Sequence, residues 1–439
     1  MTNNAKEKII QFGEGGFLRG FFDWMVQKMT DAGVFDGKVV VVQPIEKGMC
    51  AALEEQGCAY NHVIRGREGV SASKIDVISR CVEPYKDWDG YIALAKQKSF
   101  EFIVSNTTEA GIVFDENDKP ENAPRVSFPA KLTLLFKARF DLGYPGFVLL
   151  PCELIEKNGA KLRECVLKYA SLWGYGDGFI KWVKEENVFC STLVDRINTG
   201  FPKGDPICEK FPDDKLLNVS EYYHLWVIES EKDISDRLPL KKAGLNVVFT
   251  KDKLDEYRTR KVRILNGAHT SLVSYGMLSG FETVRAFVED EKMAAFLHRC
   301  VFSEIIPTLP GDADGLTEYA KNVLIRFDNP YINHLLRSIS LNSTSKFKYR
   351  VLPSITAYKA KFGVYPPALV FGFAKLIEYY KSGEPDDDVD AVGYIKEHTV
   401  RDILSNEKLW DENICDAELE KMIEADMKTK YFAQSGDVL

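Results

Sequence analysis

The hydrophobic pattern changes character once along the chain, near Asp255. Before that point, short apolar runs alternate with amphipathic stretches. KIIQF leads through GEGG into FLRGFFDWMVQKM, which reads as strand, tight turn and helix. Lys38–Gln43 (KVVVVQ) is continuous and β-branched, as a strand buried on both faces should be. Phe100–Ser105 and the FVLLP run within Pro145–Gly159 repeat that pattern, and HLWVIES (His224–Ser230) alternates as a strand does. After Asp255, long helical patterns take over and β-branched runs become few.

Gly13-x-Gly15 directly follows an apolar run and precedes an amphipathic helix, the context a dinucleotide-phosphate turn requires. Gly13 would permit the tight turn and Gly15 the close approach of a pyrophosphate, with the helix N-terminus supplying charge. Leu18 stands where GxGxxG has its third glycine. The expected architecture is therefore α/β. An extended Rossmann-type nucleotide-binding domain (residues 1–254) is followed by a mostly α-helical substrate and catalytic domain (residues 255–439). At the end of the second strand, where a ribose-binding acid is expected, Gln43 and Pro44 appear instead, which leaves NAD against NADP open. Asn106, Thr107, Thr108 and Glu109 follow the strand ending at Ser105, where cofactors bind; the alternative is a polar loop that caps a helix.

The densest chemistry lies in Lys261–Gly276, KVRILNGAHTSLVSYG. At about 100° per residue, Val262, Leu265, Ala268, Leu272 and Val273 share an arc. Lys261, Asn266 and His269 project onto the same arc, while Arg260, Arg263, Thr270 and Ser271 take the side expected to face solvent. Three polar residues on a buried face either form a hydrogen-bond network or do chemistry. A lysine near a helix N-terminus, with its pKa lowered, can act as a general base; an amide can donate to an alkoxide; an imidazole can orient a hydroxyl. That set suits interconversion of an alcohol and a ketone.

The spacing Lys-x4-Asn-x2-His, within RTRKVRILNGAH, resembles the active-site helix of the polyol-specific long-chain dehydrogenase/reductases, the mannitol dehydrogenase family. The resemblance runs from Ile9 to about Pro353 and favours a branch acting on open-chain sugar acids. It implies hydride transfer with NAD, Lys261 as base, and Asn266 and His269 as its partners. Gly13, Gly15, Phe17 and Arg19 match the family's Gly-x-Gly-x-Phe-x-Arg turn, and TEAGI matches its nicotinamide-side loop, placing Asn106, Thr108 and Glu109 at the cofactor. Cys190 stands where mannitol dehydrogenases have an oxyanion-hole Asn. Glu229 is either a substrate contact or half of a salt bridge, and Lys346 either reaches the substrate or belongs to a solvated loop. Arg258 stands where mannitol-type enzymes carry Glu; it either takes a carboxylate through its guanidinium or precedes the helix and points into water, pairing with Glu256 or nothing.

Composition narrows the partners. A formal charge of −8 argues against nucleic acid and anionic membranes, leaving a small sugar acid as the expected partner. Nine cysteines without a CxxC pair fit a reducing cytoplasm, and the N-terminus lacks a signal peptide's apolar core. Without HExxH or a Cys/His cluster, no catalytic metal is expected.

Overall fold

A computed structural model of the chain describes residues 6–108 and 110–432. The chain divides into two compact units, Met1–Asp255 and Glu256–Leu439.

In the first unit, the continuous apolar runs form one six-stranded parallel sheet. Its spatial order is Ile78–Val82, Gly37–Val42, Lys6–Phe12, Phe102–Ser105, Val148–Pro151 and Val188–Phe189. Numbered along the chain this is 3-2-1-4-5-6, the doubly wound Rossmann order. Alternation along each strand feeds two separate cores. Ile9, Val39, Val41, Phe102 and Val104 pack with Met25 and Val26 on one side. Ile10, Phe12, Val40, Ile103 and Leu149 pack with Leu132, Phe136 and Val166 on the other. Each such side chain contributes about 1.5–3 kcal/mol on burial, so the runs are apolar on both faces rather than at every second position, apart from the buried polar Gln11 and Ser105. Strand order reverses between Lys6–Phe12 and Phe102–Ser105, and the crevice beyond their carboxyl ends is where such sheets bind ligands. Two smaller sheets complete the unit. One contains Asn198–Gly200, Asn218–Ser220, Tyr60–Gly66 and Gly69–Ile75; the other contains Val247–Thr250, Leu225–Glu229 and Ser191–Asp195.

The second unit is helical. Gly267–Leu278 lies at its centre, and every residue from Gly267 to Gly276 is buried. Pro367–Ser382 packs along it, so closely that a Cβ on Gly372 would lie 3.1 Å from the carbonyl oxygen of Ser271. Centrality corrects the expected solvent face: Thr270 and Ser271 are only 7% and 1% exposed. Arg263 is half-buried, donating from Nε to Ser354 Oγ (2.6 Å) and from Nη2 to Thr308 Oγ1 (3.2 Å). Arg260 lies over the rings of Tyr257 and Tyr319.

The helix also departs from a uniform α pattern. Leu254–Arg260 is α-helical, Lys261–Asn266 is a π-helix, and Gly267–Leu278 is α-helical again. Lys261 therefore sits about two turns inside the helix, beyond the reach of the N-terminal dipole that the sequence suggested for it. No described helix is long and apolar enough to cross a membrane.

Candidate functional site

In the first unit, the glycine turn is shaped by its neighbours. Gly13 adopts φ +113°, and a Cβ there would stand 3.0 Å from the carbonyl oxygen of Asn106, so the turn presses against the end of the adjacent central strand. Gly15 is exposed, and a Cβ there would meet nothing within 4 Å. It precedes the short helix Gly16–Gly20, whose first N–H groups receive no side-chain cap. An open face, bare backbone donors and a glycine at the approach suit the pyrophosphate of a dinucleotide.

The other residues of this turn support it from behind. Arg19 is 2% exposed and spends its guanidinium on the carbonyls of Glu14 (3.1 Å) and Leu216 (2.5 Å). Phe17 stacks on Phe21 at 5.0 Å between centroids. Gly16 and Gly20 let the helix lie against Asn198 and Asn218, and Asn218 Nδ2 donates to the Gly16 carbonyl (2.8 Å).

The loop after Phe102–Ser105 is held by Glu153, only 2% exposed. Its carboxylate accepts from Ser105 Oγ (3.1 Å), Thr107 N (2.9 Å) and Thr107 Oγ1 (3.0 Å), while burial pushes its pKa up. Asn106 is half-buried and Thr108 exposed with φ +70°; Glu109 lies outside the described residues. Gln43 is folded inward. Its Nε2 donates to the carbonyls of Ile45 (3.1 Å) and Glu46 (3.2 Å), and its Oε1 accepts from Cys50 N (3.2 Å). It thus shapes the loop where a ribose-binding acid would otherwise stand.

Cys190 is fully buried, and burial pushes its thiol up to about 12, too high for a nucleophile at neutral pH. Glu229 Oε2 accepts from Leu254 N (3.0 Å), the first N–H of the long helix.

In the second unit, the π stretch changes which residues align. On an α-helix Lys261 and Asn266 would lie about 140° apart. A π turn advances by only about 80° per residue, which reduces that separation to about 40° and brings Lys261 nearly into line with His269. The three polar residues thus share a narrow sector of a helix otherwise committed to the core. His269 stacks on Phe327 (4.0 Å between centroids) and meets the edge of His334 (4.9 Å). Burial, with the charges of His334, Arg326 and Arg350, holds its pKa well below the usual imidazole range, so it is neutral at physiological pH. Its Nε2 is buried and has no hydrogen-bond partner among the described residues. Lys346, on the helix Ser343–Arg350, donates to the Ile339 carbonyl (2.7 Å). Arg258 lies within the helix Leu254–Arg260, half-buried and already engaged in the protein. The π turn and the roles of Glu153 and Gln43 were not foreseen. For the first, the sequence carried no periodic signal, since a six-residue π stretch reads like α-helix.

Two family models match: the mannitol dehydrogenase Rossmann domain over residues 7–242 and the mannitol dehydrogenase C-terminal domain over residues 253–431. Altronate oxidoreductase of Bacillus subtilis (strain 168) is 43% identical over 427 residues, covering 92% of this chain and 88% of that protein. Altronate oxidoreductase of Phocaeicola vulgatus is 41% identical over 435 residues, covering 93% and 91%. Among solved structures, a ternary complex of Pseudomonas fluorescens mannitol 2-dehydrogenase with NAD and D-mannitol shares the fold at TM-score 0.69 and 21% identity, covering 97% of this chain and 92% of that one.

Proposed function

Since the chain belongs to the mannitol dehydrogenase family, we propose that it interconverts D-tagaturonate and D-altronate with NAD. The observation that carries this reading is His269 Nε2, neutral, buried and unpartnered on the same helix sector as a lysine and an asparagine. A buried polar atom left without a partner costs about 1–3 kcal/mol, and a substrate hydroxyl would recover that cost.

A bound nicotinamide would take or supply the hydride. Gly13 and Gly15 would hold the dinucleotide's pyrophosphate, supported by Phe17 and Arg19, with Asn106 and Thr108 on the neighbouring loop. In the oxidative direction Lys261 takes the hydroxyl proton as the carbon gives up hydride. Asn266 donates its amide to the oxygen as negative charge develops there, and His269 fixes the hydroxyl's direction. Reduction runs the same steps backwards, with Lys261 returning the proton. In this reading no metal is required, because lysine and amide together supply the charge stabilisation. Arg258 and Lys346, the expected cationic contacts for an acid, are both engaged within the protein, and Cys190 and Glu229 act indirectly, by packing and by holding the helix start.

The names of the relatives favour altronate; fructuronate reduction and mannitol 2-dehydrogenation are sister reactions on the same frame. Initial rates on tagaturonate, fructuronate, fructose and mannitol, each with NAD(H) and NADP(H), test the proposal. It requires the highest kcat/KM on tagaturonate with NADH. Preference for an uncharged substrate would overturn the substrate assignment, and preference for NADPH the cofactor assignment.

A further inference from the structure

Arg350 ends the helix Ser343–Arg350, and the chain path fixes where it ends. A Cβ on Gly267 would lie 3.1 Å from the Arg350 carbonyl oxygen, so glycine lets the end of this helix press against the residue between Asn266 and His269. An arginine in a last turn ordinarily reaches into water, where the helix dipole and solvent stabilise it. This one is half-buried, and among the described residues its guanidinium has no hydrogen-bond or ion-pair partner.

Its surroundings are short of negative charge. The fields of Arg350 and Arg326 both act on His269, and that of Arg350 also acts on Lys346, one turn earlier. The carboxylate near Lys346, that of Asp387, is already taken by Thr344 N (2.9 Å), Thr344 Oγ1 (2.7 Å) and the Tyr380 hydroxyl. Burial lowers the pKa of both Arg350 and Lys346, the sign expected of cations held from water without a full counter-charge. Arg258, by contrast, is already engaged within the protein.

We infer that Arg350 receives the carboxylate of the substrate and thereby sets the choice of a sugar acid over an uncharged ketose. This rests on the sugar-acid reading above. A guanidinium offers a planar fork of donors that matches a carboxylate in two parallel hydrogen bonds, and the pair places the missing negative charge beside His269.

The test compares wild type with Arg350→Gln and Arg350→Lys on two arms. The first is kcat/KM for tagaturonate against fructose. The second is calorimetric binding of gluconate, a carboxylate probe, against D-mannitol. Arg350→Gln should lower kcat/KM for the acid by about 10- to 150-fold and weaken gluconate binding similarly, while the uncharged compounds change by less than about 3-fold. Arg350→Lys should recover part of the acid preference through charge alone, and it carries the test should the glutamine variant fold poorly. Equal losses on acid and neutral compounds, or no loss on either, would overturn the inference. A wild-type protein that turns over no sugar acid would defeat the function reading instead, and the gluconate arm still decides for or against Arg350.

Discussion

Lys261 and Asn266 are the first and last residues of one π-helical stretch, five positions apart, the span that a π turn closes with its own hydrogen bond. A π turn is an α-helix carrying one extra residue. Adding a further residue, as in insertion of an alanine after Val262, should put six steps between Lys261 and Asn266 and swing Lys261 away from Asn266 and His269. Such a displacement is expected to cost about 10²-fold in kcat. Titration with the dinucleotide should change by less than about 3-fold, because the glycine turn belongs to the other unit. Full activity in the insertion variant would show that the alignment is not needed.

Lys261→Ala removes the proposed base without touching the backbone. Loss of a positioned general base costs about 10²–10⁴-fold, so alcohol oxidation should fall by that factor while dinucleotide binding is retained. A variant with near-normal kcat would assign the proton to another group. Equal loss of activity and of thermal stability would make the lysine a structural residue.

Gly13 and Gly15 should respond differently to the same substitution. Gly15→Val places a side chain in open space, so the melting temperature should hold while KM for the nucleotide rises. Gly13→Val meets a carbonyl at 3.0 Å with φ at +113°, which should destabilise the first unit by about 1–3 kcal/mol. Thermal melts and nucleotide titrations of both variants separate the two effects. Unchanged nucleotide affinity in Gly15→Val would remove the turn from the site.

Acid should weaken the first unit through His62. Its Nε2 is 2.9 Å from Ser220 Oγ, and burial, with the charges of Arg196 and Arg19, holds its pKa well below 6.5. A lowered imidazole pKa means that the unfolded chain binds the proton more readily. The stability that His62 lends is therefore present above about pH 6.5 and lost as pH falls below it, by about 1.4 kcal/mol per pH unit. Between pH 6.5 and 5 the wild type should lose about 2 kcal/mol more than His62→Gln, read by denaturant unfolding. Parallel slopes for the two proteins would contradict this.

The parallel sheet was legible because strands buried on both faces must be apolar throughout: Val39–Val42 and Phe102–Val104 leave little else for those residues to do. Lys261, Asn266 and His269 were legible as residue types, since polar groups in an apolar stretch need a reason. Their alignment was not, because six residues of π-helix leave no periodicity that distinguishes them from α. Thr270 and Ser271 were placed in solvent because they lie opposite the apolar arc, and small hydroxyls fit a crowded helix crossing as readily as water. The holding roles of Glu153 and Gln43 were hidden for another reason: their partners are backbone groups, which every residue shares.

Gly16 and Gly20 rest on Asn198 and Asn218 of the four-stranded sheet, and a Cβ on Gly20 would come within 2.4 Å of the Asn198 amide. The phosphate turn is consequently not a portable module. Moved to another strand–turn–helix scaffold, it would leave behind the amide that holds the Gly16 carbonyl, and two bare glycines would loosen the helix they were chosen to seat. Within this chain the dependence runs the other way as well. If the turn binds the dinucleotide as proposed, any drift of residues 198–220, a segment with no catalytic assignment, would be felt first as a change in nucleotide affinity.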